Sequence, residues 1–335
     1  MGKIKYITTN GELKRKDNSL CYFNGIKNIY LPIESVSEIY LYGEVTLNTK
    51  LLNFLAQNNV ILHTFNYYGT YSGTYYPKEK YLSGKITIEQ VRYFDLNRIK
   101  ISKSIVMGIA ENMKEVLYHY YRHGNKEIKY FFEFIENIFK PQLNDAHNIQ
   151  QILCAEGSLW IEFYSTFKYI LPKEFVLNKR VRRPPDNPIN ALISFGNSLL
   201  YSRTVSIVYE THLNQTISFL HEPSEGRFSL SLDISEVFKP IIVYKTIFEL
   251  INRKQISVEK HFDKKLNYCV LNEEGRNIFI KHFEDRMEST FKHNKLGRKV
   301  SLRTAIKLDC YKLIKTFLEQ KDFVPFSWRS KIWKT

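Results

Sequence analysis

The hydrophobic pattern of this chain changes period near Ser83, which restricts it to folds where a strand-rich part precedes a helical one. Before that point, apolar residues come in short runs closed by turn residues. Asn10-Gly11 lies between Lys5-Tyr6-Ile7 and Leu13, and Asn24-Gly25 lies between Cys21-Tyr22-Phe23 and Ile29-Tyr30-Leu31. Asn-Gly supplies the positive φ of tight turns, so both read as hairpins. Further strands are expected from Val36 to Tyr42, from Val60 to Phe65 and through Gly69 to Tyr76. One amphipathic helix, Asn48 to Gln57, carries Leu51, Leu52 and Leu55 on a face.

Beyond Ser83 the period is helical. Helices are expected over Ile101 to Tyr121, Ile128 to Phe139, His147 to Ile170, Ile189 to Tyr209, Ile234 to Ile251, Asn277 to Glu288 and Leu302 to Leu318. Gly124, Pro141, Pro172, Pro184-Pro185 and Pro223 mark the breaks. The expected class is α+β: a small N-terminal β-sheet domain (1–82) followed by a larger all-α domain (83–335), the catalytic one in the reading below. The 335 residues allow two domains, because a single core stops growing near about 250–300.

The 49 Lys and Arg against 34 Asp and Glu leave a net charge of +15, which favours an anionic partner such as nucleic acid, or serves solubility alone. Cys21, Cys154, Cys269 and Cys310 are too scattered for a zinc site, and Cys154 reads as a buried structural thiol. Met1 to Lys5 shows no signal peptide, and no apolar run approaches the roughly 18 residues that cross a bilayer. A cytoplasmic protein without a membrane is expected.

Glu156 is the chemical anomaly. Ile149, Ile152, Leu153, Leu159, Trp160, Phe163 and Phe167 recur at steps of three and four, and Glu156 falls on the same face. A buried carboxylate needs a cation, either a buried Arg or Lys or a metal ion. His221 sits in the loop His221-Glu222-Pro223 and is either a loop histidine or a ligand. Phe228, Leu230 and Leu232 alternate like an extended segment, after which Asp233 takes an N-cap position with Glu236 third in the helix, close to a capping box. Pro240, four residues after Glu236, cannot donate to its carbonyl and should distort that helix. Two acids and an imidazole suit a divalent ion: Mg²⁺ prefers oxygen, whereas an imidazole ligand suits Mn²⁺. No phosphate-binding glycine loop, nucleophile elbow or dinucleotide turn is present. His119 and His123 lack the Glu of a metalloprotease helix and read as an exposed helix end at Gly124.

Two segments are basic: Lys179 to Pro185, held extended by its prolines, and Lys292 to Arg303, before or at the start of the last helix. The chain ends in the basic, aromatic stretch Trp328 to Lys334.

The run from Arg182 to Tyr201, with Glu156-Gly157, His221-Glu222 and Phe228 to Pro240, closely resembles the CRISPR-associated protein one family, the endonuclease and integrase of spacer acquisition. The similarity runs over nearly the whole chain. It implies a β domain joined to a helical catalytic domain, a homodimer, and Mn²⁺ or Mg²⁺ held by Glu156, His221 and Glu236, with Asp233 as a nearby second acid. The final ligand is often Asp in this family and is Glu here. The implied activity joins 3′-hydroxyl ends of captured double-stranded DNA into the CRISPR repeat, with the small CRISPR-associated protein two as partner. Arg180, Arg182, Arg183, Lys239 and Lys292 are candidate phosphate contacts by charge and placement. A non-catalytic DNA-binding scaffold and an RNA-processing nuclease are the competing readings.

Overall fold

The computed structural model describes residues 3–77, 81–182, 184–265, 268–293 and 296–328. The strand-rich part comprises β1 (Lys3–Ile7), β2 (Gly11–Lys16), β3 (Ser19–Phe23), β4 (Asn28–Pro32), β5 (Val36–Leu41), β6 (Val45–Thr46), α1 (Thr49–Gln57), β7 (Ile61–Phe65) and β8 (Tyr71–Tyr75). These form two four-stranded sheets, ordered β1-β5-β7-β8 and β4-β3-β2-β6. In the first, β1, β5 and β7 are parallel and β8 is antiparallel. The alternation of β5 joins the two halves of the molecule. Ile39 and Leu41 enter a small core with Leu13, Leu51 and Leu55, whereas Tyr40 and Tyr42 enter the helical core. A strand apolar on both faces must be covered on both.

Asn24-Gly25 turns the β3–β4 hairpin as expected, with Gly25 at φ 88° and the Asn24 side chain accepting the N–H groups of Ile26 and Lys27. Asn10-Gly11 does not turn a hairpin. β1 pairs with β5 in one sheet while Gly11 opens β2 in the other, so this dipeptide crosses between sheets. Gly11 is required there by closeness, since a Cβ would fall 2.2 Å from the Phe23 carbonyl oxygen. The β2–β3 hairpin turns instead at Asp17-Asn18, where Asp17 takes φ 53°.

The rest is mostly helical: α2 (Gly84–Arg122), α3 (Lys129–Phe134), α4 (Lys140–Asn144), α5 (Ile149–Ser165), α6 (Phe167–Ile170), α7 (Pro188–Tyr209), α8 (Ser229–Lys239) and α9 (Lys245–Asn252). A hairpin of β9 (Phe262–Lys265) and β10 (Tyr268–Leu271) precedes α10 (Glu273–Glu288), and one of β11 (Thr290–Lys292) and β12 (Lys299–Ser301) precedes α11 (Leu302–Glu319). These hairpins add strands to a part read as all helix; each is too short for periodicity to reveal. α2 begins at Gly84, capped by Ser83, well before Ile101, because its first turns leave Ile88, Val91 and Leu96 exposed and blur the apolar stripe. Gly124, at φ 116°, lies just beyond its end.

Pro141 does not break its helix. It lies in the first turn of α4, after a π-helical turn at Ile135–Phe139, where no N–H is needed. Pro240 distorts the chain as expected: a π-helical turn, Pro240–Tyr244, joins α8 to α9, and the Asn112 amide donates to the Val237 carbonyl at 2.8 Å. Cys154 is exposed, not buried, since two residues from Glu156 is about 200° around the helix. Among the described residues no helix is long and apolar enough to cross a membrane.

Candidate active site

α5 is capped by Asn148, whose side chain accepts the Gln151 N–H, and carries the half-buried Glu156 midway along its length. Trp160, one turn later, donates its indole N–H to Glu156 Oε1 at 2.9 Å. No cation of an ion pair reaches Glu156 among the described residues. Lys239, the lysine of this site, is bonded to Glu236 Oε1 and lies 6.0 Å from the centroid of the Trp160 ring.

Asp233 is not the helix cap that its sequence context suggested. α8 already starts at Ser229, so the segment through Leu232 is helical, and Asp233 lies inside the helix, fully buried. Its Oδ2 accepts the N–H groups of Phe219 and Leu220 at 2.7 and 2.9 Å. Its Oδ1 accepts the His221 N–H at 3.0 Å and lies 2.7 Å from His221 Nδ1. Three orphan donors of a loop are thus satisfied by one buried carboxylate, which outweighs any use of it as a cap. Arg98 grips the loop beside the histidine, with Nε on the Phe219 carbonyl at 2.9 Å and Nη2 on Glu222 at 2.6 Å.

Glu236 stands one turn along α8 from Asp233 and is 5% exposed. Burial, then the neighbouring Glu236, raises the Glu156 carboxyl above its ordinary value, against the pull of His221, Trp160 and Lys239. Burial alone would lower His221, but Asp233, Glu236 and Glu156 together raise it. Glu156, His221 and Glu236 come from α5, a loop and α8, and Glu156 and Glu236 both bear on the imidazole.

Among the described residues, no three His, Cys, Asp or Glu side chains are gathered closely enough to hold an ion. By residue type alone the donors suit one: two carboxylates, and an imidazole whose Nδ1 is taken by Asp233, an acceptor only, which leaves Nε2 for a ligand. The Lys239 ammonium supplies the positive charge that this acid pair demands.

The phosphate candidates divide. Arg180 is committed to the Asn190 and Ser194 side chains at 3.0 and 2.9 Å, bracing the start of α7. Arg182 is exposed, and both arginines act with Glu236 on the Tyr164 phenol, which burial raises first. The Lys179 to Arg182 stretch lies outside any helix. Lys239 is pinned to Glu236, Lys292 is exposed on β11, and Arg183 and the tail from Arg329 lie outside the described residues. Arg303, in the other basic segment, faces Glu38 and Glu210, each at 3.6 Å. His119 and His123 close the end of α2, with His123 Nδ1 2.6 Å from the His119 carbonyl. The sequence reading missed Trp160 and Arg98 as parts of this site. Trp160 was legible from its i+4 spacing to Glu156, whereas Arg98 acts over more than a hundred residues.

A family model described as CRISPR associated protein Cas1 matches residues 5–285. The CRISPR-associated protein Cas1 1 of Methanobrevibacter ruminantium is 43% identical over 326 residues, covering 97% of this chain and 98% of that relative. The CRISPR-associated endonuclease Cas1 of Clostridium perfringens is 42% identical over 332 residues, with 97% and 98% covered. A solved CAS1 protein from Thermotoga maritima superposes with a TM-score of 0.86 at 35% identity, covering 98% of this chain and 100% of that one. With identity of this order carried along almost the whole length of both chains, this chain belongs to the CRISPR-associated protein Cas1 family.

Proposed function

We propose that this chain is a metal-dependent DNA endonuclease and integrase of CRISPR adaptation, which joins protospacer 3′-hydroxyl ends into the CRISPR repeat by transesterification. The observation that carries this reading is the His221 imidazole held at 2.7 Å by the buried Asp233, one helical turn from the buried carboxylate of Glu236. Family membership supports it, as does the name endonuclease borne by close relatives.

Glu156, His221 and Glu236 would hold Mn²⁺ or Mg²⁺, which when bound would offset charge on a phosphodiester and make a hydroxyl or water more acidic. Asp233 holds the His221 imidazole so that Nε2 faces the ligand, and Trp160 fixes one oxygen of Glu156. Arg182 offers an exposed cation for backbone phosphate. In joining, the 3′ oxygen forms a new bond to phosphorus as the bridging P–O bond of the repeat breaks, so the number of phosphodiester bonds is unchanged. Water in that place gives cleavage. The reading includes a homodimer and CRISPR-associated protein two as partner, which rest on the family, and a cytoplasmic setting and a division of the chain at 82/83, which rest on the sequence.

Glu156→Ala tests it. The variant should lose Mn²⁺-dependent cleavage and joining of branched DNA while binding DNA and melting nearly as the unmodified protein does. Full metal-dependent activity in that variant would overturn the catalytic assignment.

A further inference from the structure

We propose that Asn112 of α2 is a positioning residue for Glu236, and that it acts by locking the end of α8 to a buried strap, residues 323–328, near the C-terminus. The role of Glu236 rests on the metal-dependent reading above; Asn112 itself is fully buried and takes no part in the bond exchange.

The two ends of α8 are held differently. Toward its start, Asp233 is fixed by the N–H groups of Phe219, Leu220 and His221. Toward its end, Pro240 has no N–H for the Glu236 carbonyl, and the chain widens there into the π-helical turn Pro240–Tyr244. Glu236 lies between these two regimes. Where its carboxylate falls therefore depends on what fixes Val237 and Phe238, the residues that follow it.

Asn112 joins that end of α8 to the strap. Its Nδ2 donates to the Val237 carbonyl at 2.8 Å and to the Phe326 carbonyl at 3.1 Å, while its Oδ1 accepts the Trp328 N–H at 2.8 Å. The strap belongs to no helix or sheet, yet Phe323, Pro325 and Phe326 are buried in it. Buried peptide groups without regular structure must find other partners. Asn112 serves two of them, and the buried Asp309 of α11 accepts the Phe326 N–H at 2.7 Å.

Apolar contacts follow the same line. The Phe326 ring stacks on Phe238, with centroids 5.2 Å apart and planes 20° from parallel. Pro325 lies against Gly108, one turn before Asn112, where a Cβ would come 2.7 Å from Pro325 Cγ and 3.6 Å from Val237 Cγ1. Only a residue without a side chain lets α2, α8 and the strap meet so closely. Trp328 is held in turn by the Phe291 ring at 5.1 Å and the Lys245 ammonium at 5.8 Å. Val237 and Phe238 are thus tied to one strap by a hydrogen-bonded amide and a ring stack, and releasing either frees the backbone next to Glu236.

The test uses the full chain carrying Asn112→Leu, close to Asn in shape but unable to hydrogen-bond, at a temperature where circular dichroism shows it folded. In Mn²⁺-dependent cleavage of branched DNA, kcat should fall about 10- to 100-fold, as for loss of outer partners of ligands. KM should stay within about two-fold, because no DNA contact is removed. The rise in melting temperature on adding Mn²⁺ should shrink as well, a readout independent of turnover. Phe326→Leu, which removes the stack on Phe238 from the side of the strap, should repeat the pattern more weakly. If Asn112→Leu does not fold, Phe326→Leu alone must show it. Full kcat, a loss confined to KM, an unchanged Mn²⁺ response, or failure of both variants to fold overturns the positioning role and leaves the metal-dependent reading standing. An unsubstituted protein that neither cleaves DNA with Mn²⁺ nor is stabilised by it overturns both.

Discussion

The Nδ1 of His221 lies 2.7 Å from Oδ1 of Asp233, so an imidazole from a loop is aimed by a carboxylate from the helix α8 behind it. The same carboxylate takes the N–H groups of Phe219, Leu220 and His221. Asp233 therefore sets both the ring orientation and the path of the loop.

Asp233→Asn should separate these roles from that of a ligand. An amide keeps one acceptor but turns a second donor toward backbone N–H groups, so the loop shifts and the imidazole loses its aim. Activity on branched DNA should fall about 10- to 100-fold, as for loss of other outer partners of ligands. The melting temperature should fall as well, because a buried N–H is left unpaired.

Lys239 and Glu236 make a partly buried ion pair one turn apart. With Lys239→Gln, the acids lose that cation. Without divalent ions the variant should be less stable by about 1–3 kcal/mol, somewhat less than for a fully buried pair. Added Mn²⁺ should raise its melting temperature more than that of the unmodified protein. Thermal scans with EDTA and with Mn²⁺ check this, and equal Mn²⁺ responses would count against ion binding here.

Arg203 on α7 is 1% exposed and reaches Glu38 of β5 through Nη1 at 3.1 Å, joining sheet to helices. Burial pulls the Glu38 carboxyl up, but Arg203, then His63 and Arg303, hold it below its ordinary value. Arg203→Met strands that charge and should cost about 3–5 kcal/mol in denaturant unfolding, whereas the double change with Glu38→Gln should recover much of it.

His63 is buried in the same interface, with Nδ1 on Thr74 and Nε2 on Ser206, each at 2.7 Å. Burial drives its pKa from 6.5 to about 4, so the folded protein keeps it neutral. As pH falls below 6.5 the unfolded chain takes up a proton that the folded one refuses, and stability drops until about pH 4. The loss attributable to this group is on the order of 3 kcal/mol. His63→Gln should flatten the unfolding free energy over that range; an unchanged slope would refute the assignment.

The separation of a strand-rich part from a helical one was present in local periodicity, because an alternating or helical stripe needs only residues within about four positions of each other. For the same reason the Asn24-Gly25 turn, the short helix ending at Gln57 and the distortion at Pro240 were legible, and Glu156 stood out as the one acid on an apolar stripe. Asn10-Gly11 misled because its turn residues are local while the partner of β1 is a parallel strand some thirty residues on, chosen by which face each sheet buries. Asp233 misled similarly: its capping pattern is local, but the donors it serves lie across a loop and reward the carboxylate only when it is buried among them. The chemistry of the candidate site was thus written in residue types along the chain. Which acid orients, which faces a lysine and which leans on Trp160 was decided by tertiary packing, since hydrogen bonds and charges in a low-dielectric interior are set by distance in space and not by distance along the sequence.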